Sequence, residues 1–198
     1  MSKPKIAVII GSTRPTRNAD KPARWIADLA EKTGSFEVEL VDLADYDLPL
    51  FNAPASDLWM PSPDPVAQKW QAKLAEFDGY IFVTPEYNHS ITGALKNALD
   101  WASKPFIKKA AAFVAFGSVG GARAVEHLRM ILVELQTANV RQAVHIGGGD
   151  FMAIMLGQKT WDDVLPQYER FTPELFENLL WWTEATRAQR AAEAAKAG

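Results

Sequence analysis

Short apolar runs rich in β-branched residues alternate with helical patterns along most of this chain, and that alternation limits the fold more than any other feature. Lys5–Ile10 closes in Gly11, and Phe36–Val41 alternates polar and apolar residues. Tyr80–Val83, Ala110–Phe116 and Gln142–Ile146 are three further runs of strand length. Between them lie helical stripes: Ala23, Ile26, Ala27 and Ala30; a helix over Val66–Phe77; Ala94, Leu95, Ala98, Leu99 and Ala102 within Ile91–Ala102; and Val125, Leu128, Leu132 and Leu135. Strands alternating with helices in this way imply an α/β, doubly wound, five-stranded parallel sheet. The order 2-1-3-4-5 is favoured, because it makes strands 1, 3 and 4 neighbours. Those strands precede the three unusual polar loops at 11–18, 84–90 and 117–121, the first and last of which bear glycine. Ligands of open α/β sheets bind at the carboxyl ends of the strands, where the order reverses.

Each loop suggests a chemistry. In the first, Ser12, Thr16 and Asn18 offer hydrogen-bond donors, Arg14 and Arg17 offer charge, and a helix capped by Asn18 or Asp20 adds its dipole. That suits a phosphate dianion, although a polar turn with surface arginines has the same composition. Neither a P-loop nor a G-x-G-x-x-G fingerprint is present. In the second loop Pro85 stiffens the turn, Tyr87 offers an aromatic face, and the backbone N–H groups of Glu86 to Asn88 are expected to be free for a flat heterocycle. In the third, Gly117, Gly120 and Gly121 around Ser118 let backbone approach a planar ligand, or form an ordinary strand-to-helix turn. A phosphate end and a flat-ring end at one switch point describe FMN better than a dinucleotide.

Gly11-Ser12-Thr13-Arg14, Pro85-Glu86-Tyr87-Asn88 with Ser90, and Gly93-Ala94-Leu95-Lys96-Asn97-Ala98-Leu99-Asp100-Trp101 resemble the NADPH-dependent FMN reductase family, from about Lys5 to Gly121. The resemblance implies a flavodoxin-like fold in a family that includes quinone, chromate and azo-dye reductases. It implies that Ser12 and Arg14 hold the FMN phosphate, with Arg17 and Asn18 closing over it. Pro85, Glu86, Tyr87 and Asn88 would line the isoalloxazine edge and ribityl chain, and Ser118, Gly120 and Gly121 would border the far end of the ring. Asn18 stands where many members carry serine, and Thr92 where many carry proline. NADPH or NADH would be co-substrate and a quinone or similar small molecule the electron acceptor, in a homodimer or homotetramer. No catalytic side chain is implied; Tyr87 and His89 are candidates for the substrate side of the ring, with His89 read rather as a surface residue near a helix start. The alternatives are a flavodoxin-type electron carrier, against which the near-balanced charge counts, and a flavin-binding regulatory protein without significant turnover.

The remaining expectations are structural. Residues 1–198 are read as one domain. A net charge of −3 without a basic cluster argues against nucleic acid, and no apolar run reaches the roughly 20 residues that span a bilayer. The chain has no cysteine, and its start shows no signal-peptide apolar region, so a cytoplasmic setting is expected. Scattered histidines suggest no metal site, with His127 and His145 read as structural. Five prolines make 42–65 an irregular loop whose Trp59 and Met60 should cover something. Asp150–Phe171 reads as irregular. Thr172 should cap a last helix with Leu175, Leu179 and Trp182 inward, and the tail from Arg187 should fray. Trp101 is read as core or subunit contact, Asn97 and Asp100 as ties to neighbouring loops, and Arg123 and Arg129 as solvated or meeting a pyridine nucleotide phosphate.

Overall fold

The computed structural model describes residues 2–197. Five strands, β1 (Lys5–Ile10), β2 (Glu37–Asp42), β3 (Gly79–Pro85), β4 (Ala110–Phe116) and β5 (Ala138–Ile146), form one sheet in the order β2-β1-β3-β4-β5. All four pairings are parallel. The helices are α1 (Asp20–Lys32), α2 (Pro65–Ala75), α3 (Gly93–Asp100), α4 (Ala122–Glu134), α5 (Gly148–Met155), α6 (Trp161–Val164) and α7 (Thr172–Ala197). Every residue of β3 and β4 is buried, as strands covered on both faces require. Side chains of β1 then sort by parity. Ile6, Val8 and Ile10 join α1 and α7 on one face, while Ala7 and Ile9 join α2, α3 and α4 on the other. The register pairs Ile10 with Val83 and Pro85 with Phe116, so β1, β3 and β4 end along one rim.

Several boundaries differ from the sequence expectation. β5 begins at Ala138 rather than Gln142, and a register shift opposite Ala111–Phe113 absorbs the irregularity. Neither Asn18 nor Asp20 caps α1; Ala19 holds that position without a side-chain bond. The 150–171 segment is mostly helical, because packing buries Trp161, Val164 and Leu165 against the sheet, and a capping box between Thr160 and Asp163 starts α6. Thr172 is the first residue of α7, and its hydroxyl donates backward to the Glu169 carbonyl at 2.9 Å. The buried residues Leu175, Leu179 and Thr183 continue the inner face at i+4 spacing, which leaves Trp182 at 40% exposure beside Trp181.

The carboxyl-terminal turns are helical rather than frayed. Arg187 donates to the Ser2 carbonyl at 2.6 Å, Arg190 bonds Asp78 at 2.9 Å, and Lys108 pairs with Glu193 at 2.6 Å. The proline-rich loop carries only a short 3-10 turn at Leu43–Asp45. Its Trp59 is 84% exposed and Met60 also faces solvent, so neither covers the chain's own core. Asn97 does tie the loop down, accepting from Phe51 N and donating to the Pro49 carbonyl, both at 2.8 Å. Trp101 is a core residue whose indole also donates to Pro49. Asp100 instead pairs with Lys96 on the surface of its own helix.

Candidate functional site

A cleft of about 300 Å³ opens on the rim where β1, β3 and β4 end. The first loop contributes Ser12, Arg14, Thr16, Arg17 and Asn18 to it, and the second contributes Pro85, Glu86 and Tyr87. Phe116, Gly117 and Ser118 form its floor on the β4 side, and Phe151 and Met155 of α5 form a fourth, apolar wall. Eight of the eleven residues singled out in the sequence therefore meet in one place. Asn88, Gly120 and Gly121 are adjacent in the chain but do not line the cleft.

The first loop carries several hydrogen-bond donors that find no acceptor among the described residues. Thr92 Oγ1 donates to the Gly11 carbonyl at 2.6 Å while accepting from Leu95 N, which clamps the loop's start to α3. Backbone N–H groups of Ser12, Thr13, Arg14, Thr16 and Asn18 make no bond among the described residues. Ser12 is 1% exposed and its hydroxyl has no partner. A buried polar atom left unpaired is costly, and the cleft that Ser12 lines has room for an acceptor from outside the chain. The arginines differ. Arg17 is held by the Ser12 carbonyl at 3.1 Å and by the Asp42 carboxylate, which braces the loop. Arg14 has no carboxylate partner; it donates to the Tyr87 hydroxyl at 3.1 Å and lies 5.7 Å from that ring's centre. Asn18 Oδ1 accepts from the Trp161 indole at 3.1 Å.

The second loop is a two-residue hairpin in which Tyr87 and Ser90 exchange backbone bonds of 2.9 and 3.0 Å. Asn88 and His89 occupy its tip at φ 50° and 67°, the left-handed pair that a type I′ turn demands. Glu86 N donates to the Phe116 carbonyl at 2.9 Å. The expectation of three free amides is corrected here: the hairpin and β4 consume those of Glu86 and Tyr87, leaving only Asn88. The Glu86 side chain is 5% exposed and bonded by Arg123 N at 3.1 Å and Arg123 Nε at 2.6 Å. Burial alone would raise the Glu86 carboxyl, but Arg123 and two backbone N–H groups outweigh it and hold its pKa below the ordinary 4.5.

Arg123 also donates to His89 Nε2 at 2.7 Å, and Ser90 Oγ lies 2.6 Å from His127 Nδ1. Arg129 donates to the Arg141 carbonyl and lies over Phe113. Neither arginine is a free surface cation. Arg123→Ala is expected to lower stability at pH 7 by about 1–2 kcal/mol, discounted because the Arg123 side chain is 41% exposed. A depressed carboxyl stabilises above its unfolded pKa and loses that contribution as pH falls through the folded value. Urea unfolding should therefore show the gap between wild type and variant narrowing below about pH 4; a gap that widened in acid would contradict the ion pair.

The third loop turns through Gly120 and Gly121 at φ 72° and 68°. Gly120 packs on His145, whose Nδ1 donates to the Gly120 carbonyl at 3.0 Å. A Cβ on Gly121 would lie 2.6 Å from that of Ala115. Both glycines thus serve the turn's approach to the sheet, while Ser118 reaches the cleft. Phe151, Met155 and Trp161 escaped the sequence reading; the i, i+4 spacing of the first two was the available signal, inside a segment that the glycine triplet made look irregular. Among the described residues no three His, Cys, Asp or Glu side chains gather as a metal site would require, and no helix is long and apolar enough to cross a membrane.

Comparison with known proteins agrees with this geometry. The family model described as NADPH-dependent FMN reductase matches residues 4–150. An NAD(P)H-dependent FMN reductase of Nectria sp is 34% identical over 126 residues, 61% of this chain and 63% of that protein. The chain thus spans slightly less than two thirds of that relative's length. A 2-hydroxy-1,4-benzoquinone reductase of Burkholderia sp is 37% identical over 145 residues, 70% of this chain and 75% of that one. Among solved structures, the flavoenzyme NAD(P)H:(acceptor) oxidoreductase FerB of Paracoccus denitrificans superposes with a TM-score of 0.60 at 25% identity, over 85% of this chain and 98% of FerB.

Proposed function

The chain belongs to the NADPH-dependent FMN reductase family, and from that membership we propose that it is an oxidoreductase that binds FMN in the rim cleft and passes two electrons from NADPH or NADH to a quinone or similar small acceptor. The observation that carries the assignment is the unpartnered Ser12 hydroxyl, buried in a loop of unbonded amides beside Arg14. Phosphate oxygens accept hydrogen bonds, and this loop holds donors with no acceptor among the described residues, the backbone amides and the Ser12 hydroxyl, with Arg14 lacking a carboxylate partner beside them. Bound FMN supplies the redox chemistry, while the protein supplies position and electrostatics.

In this reading Ser12, Arg14 and Asn18 hold the phosphate, and Arg17 braces their loop from Asp42. Pro85 and Tyr87 face the ring edge and ribityl chain, with Ser118 opposite; the Asn88 amide makes no bond among the described residues but lies outside the cleft lining. Gly120 and Gly121 act through the turn they allow. Phe151 and Met155 exclude water from the side that α5 covers. Glu86 is committed to Arg123 and is unavailable as a base, so positioning rather than proton transfer is what the side chains contribute.

The proposal treats residues 1–198 as a single flavin-binding domain. It places the protein in the cytoplasm, since a cysteine-free chain suits a reducing compartment. A homodimer or homotetramer forms part of it, with exposed Leu50 and Trp59 as contact material; a monomer by light scattering at micromolar concentration would remove that element. Purified protein should be yellow, or become so with added FMN, and should oxidise NAD(P)H when a benzoquinone is present. Protein that stays colourless and takes up no FMN would overturn the assignment.

A further inference from the structure

We infer that Trp161, which lies beyond the family-matched residues 4–150, is a positioning residue for the phosphate loop: its indole N–H turns the Asn18 amide so that the NH₂ group, not the carbonyl, meets a phosphate-bearing flavin. The inference rests on the FMN reading above and extends it to a residue 143 positions away in the chain.

An asparagine side chain is ambiguous where a serine is not. A hydroxyl rotates to suit its partner, but an amide presents a donor from one end and an acceptor from the other. With its oxygen toward a phosphate, Asn18 would repel the ligand it lines. Indole N–H is a donor only, so the 3.1 Å bond from Trp161 Nε1 identifies the bonded Asn18 atom as Oδ1. The remaining NH₂ group makes no bond among the described residues, and Asn18 lies on the cleft wall.

Trp161 is itself held rigidly. It is 6% exposed and meets Phe116 edge-on, with ring centres 5.2 Å apart and planes at 78°. The capping box fixes the turn that carries it: Thr160 N donates to Asp163 Oδ2 at 2.8 Å, and Asp163 N donates to Thr160 Oγ1 at 3.2 Å. A donor preorganised to this degree selects one amide orientation before any ligand arrives.

The test titrates the full chain and four variants with FMN and with riboflavin, which lacks the phosphate. Trp161→Phe keeps the ring against Phe116 but deletes the N–H. It should weaken FMN about fivefold, the usual worth of one hydrogen bond, and leave riboflavin affinity unchanged. In an Asn18→Ser background the hydroxyl orients itself, so adding Trp161→Phe should change nothing. Asn18→Asp leaves Trp161 untouched and keeps its acceptor, yet puts a carboxylate oxygen where the NH₂ was. FMN should then weaken about 30-fold or more while riboflavin binds as before. Trp161→Phe with undiminished FMN affinity, or with equal losses for both flavins, would overturn the inference. A wild-type chain that takes up neither flavin would instead overturn the FMN reading itself.

Discussion

Alanine at position 147 is expected to abolish flavin binding and to destabilise the protein by about 3 kcal/mol, the upper range for overpacking. The reason is contact rather than conformation, because Gly147 has an extended backbone that any residue can adopt, at φ −149°. A Cβ there would lie 2.2 Å from Gly120 N, 2.6 Å from Gly120 Cα and 3.1 Å from the Gly117 carbonyl. All three are backbone atoms, so no flexible side chain can move aside. The 117–121 turn has little room to retreat: Gly117 N is bonded to the Ile146 carbonyl at 3.2 Å, and Gly121 already sits against Ala115. Shifting the turn would carry Ser118 away from the cleft. Gly149→Ala is the control. A Cβ at that position meets nothing within 4 Å, and in the first turn of α5 alanine should be neutral or stabilising by up to about 1 kcal/mol. Denaturation midpoints and FMN titration of both variants decide the matter. A Gly147→Ala protein as stable as wild type would contradict the close approach of the third loop to β5.

Arg14→Ala should weaken FMN binding about 30- to 150-fold, which corresponds to about 2–3 kcal/mol for a charge-assisted bond, with much less effect on riboflavin. Among the loop's two arginines only Arg14 lacks a carboxylate partner; Arg17 is bound to Asp42. Arg14→Lys should fall between, since lysine restores the charge but not the planar fork. The loss should also shrink as salt is raised, because the interaction is partly open to solvent. Equal losses for FMN and riboflavin would show that Arg14 acts through its contact with the Tyr87 ring rather than on the phosphate.

Much of the fold was legible because its signals are local. β1 and β4 keep the bounds that their apolar runs and closing glycine or polar turns predict. The strand order followed from asking which order brings three unusual loops to one edge, and the sheet has that order. What failed did so where a distant partner outvoted local composition. Asp150–Phe171 carries glycine, proline and charge, yet becomes helical because Trp161, Val164 and Leu165 find an apolar surface on the sheet. Arg187 and Arg190 sit in a run that looks like a loose tail, yet Ser2 and Asp78, both more than 100 residues away in the chain, hold them.

The site divides in the same way. Residue types and spacing alone determined a donor-rich first loop, an aromatic second loop opened by proline and a glycine-shaped third loop on neighbouring strands, since each depends on what a short segment can donate or which backbone angles it tolerates. Only the tertiary structure decided which groups remain available. The Phe116 carbonyl takes the Glu86 amide, Asp42 takes Arg17, Arg123 takes Glu86, and Trp161 sets the Asn18 amide. Those pairings span between 25 and 143 residues of chain. Hydrogen-bond saturation is a property of who stands nearby in space, and no local pattern records it.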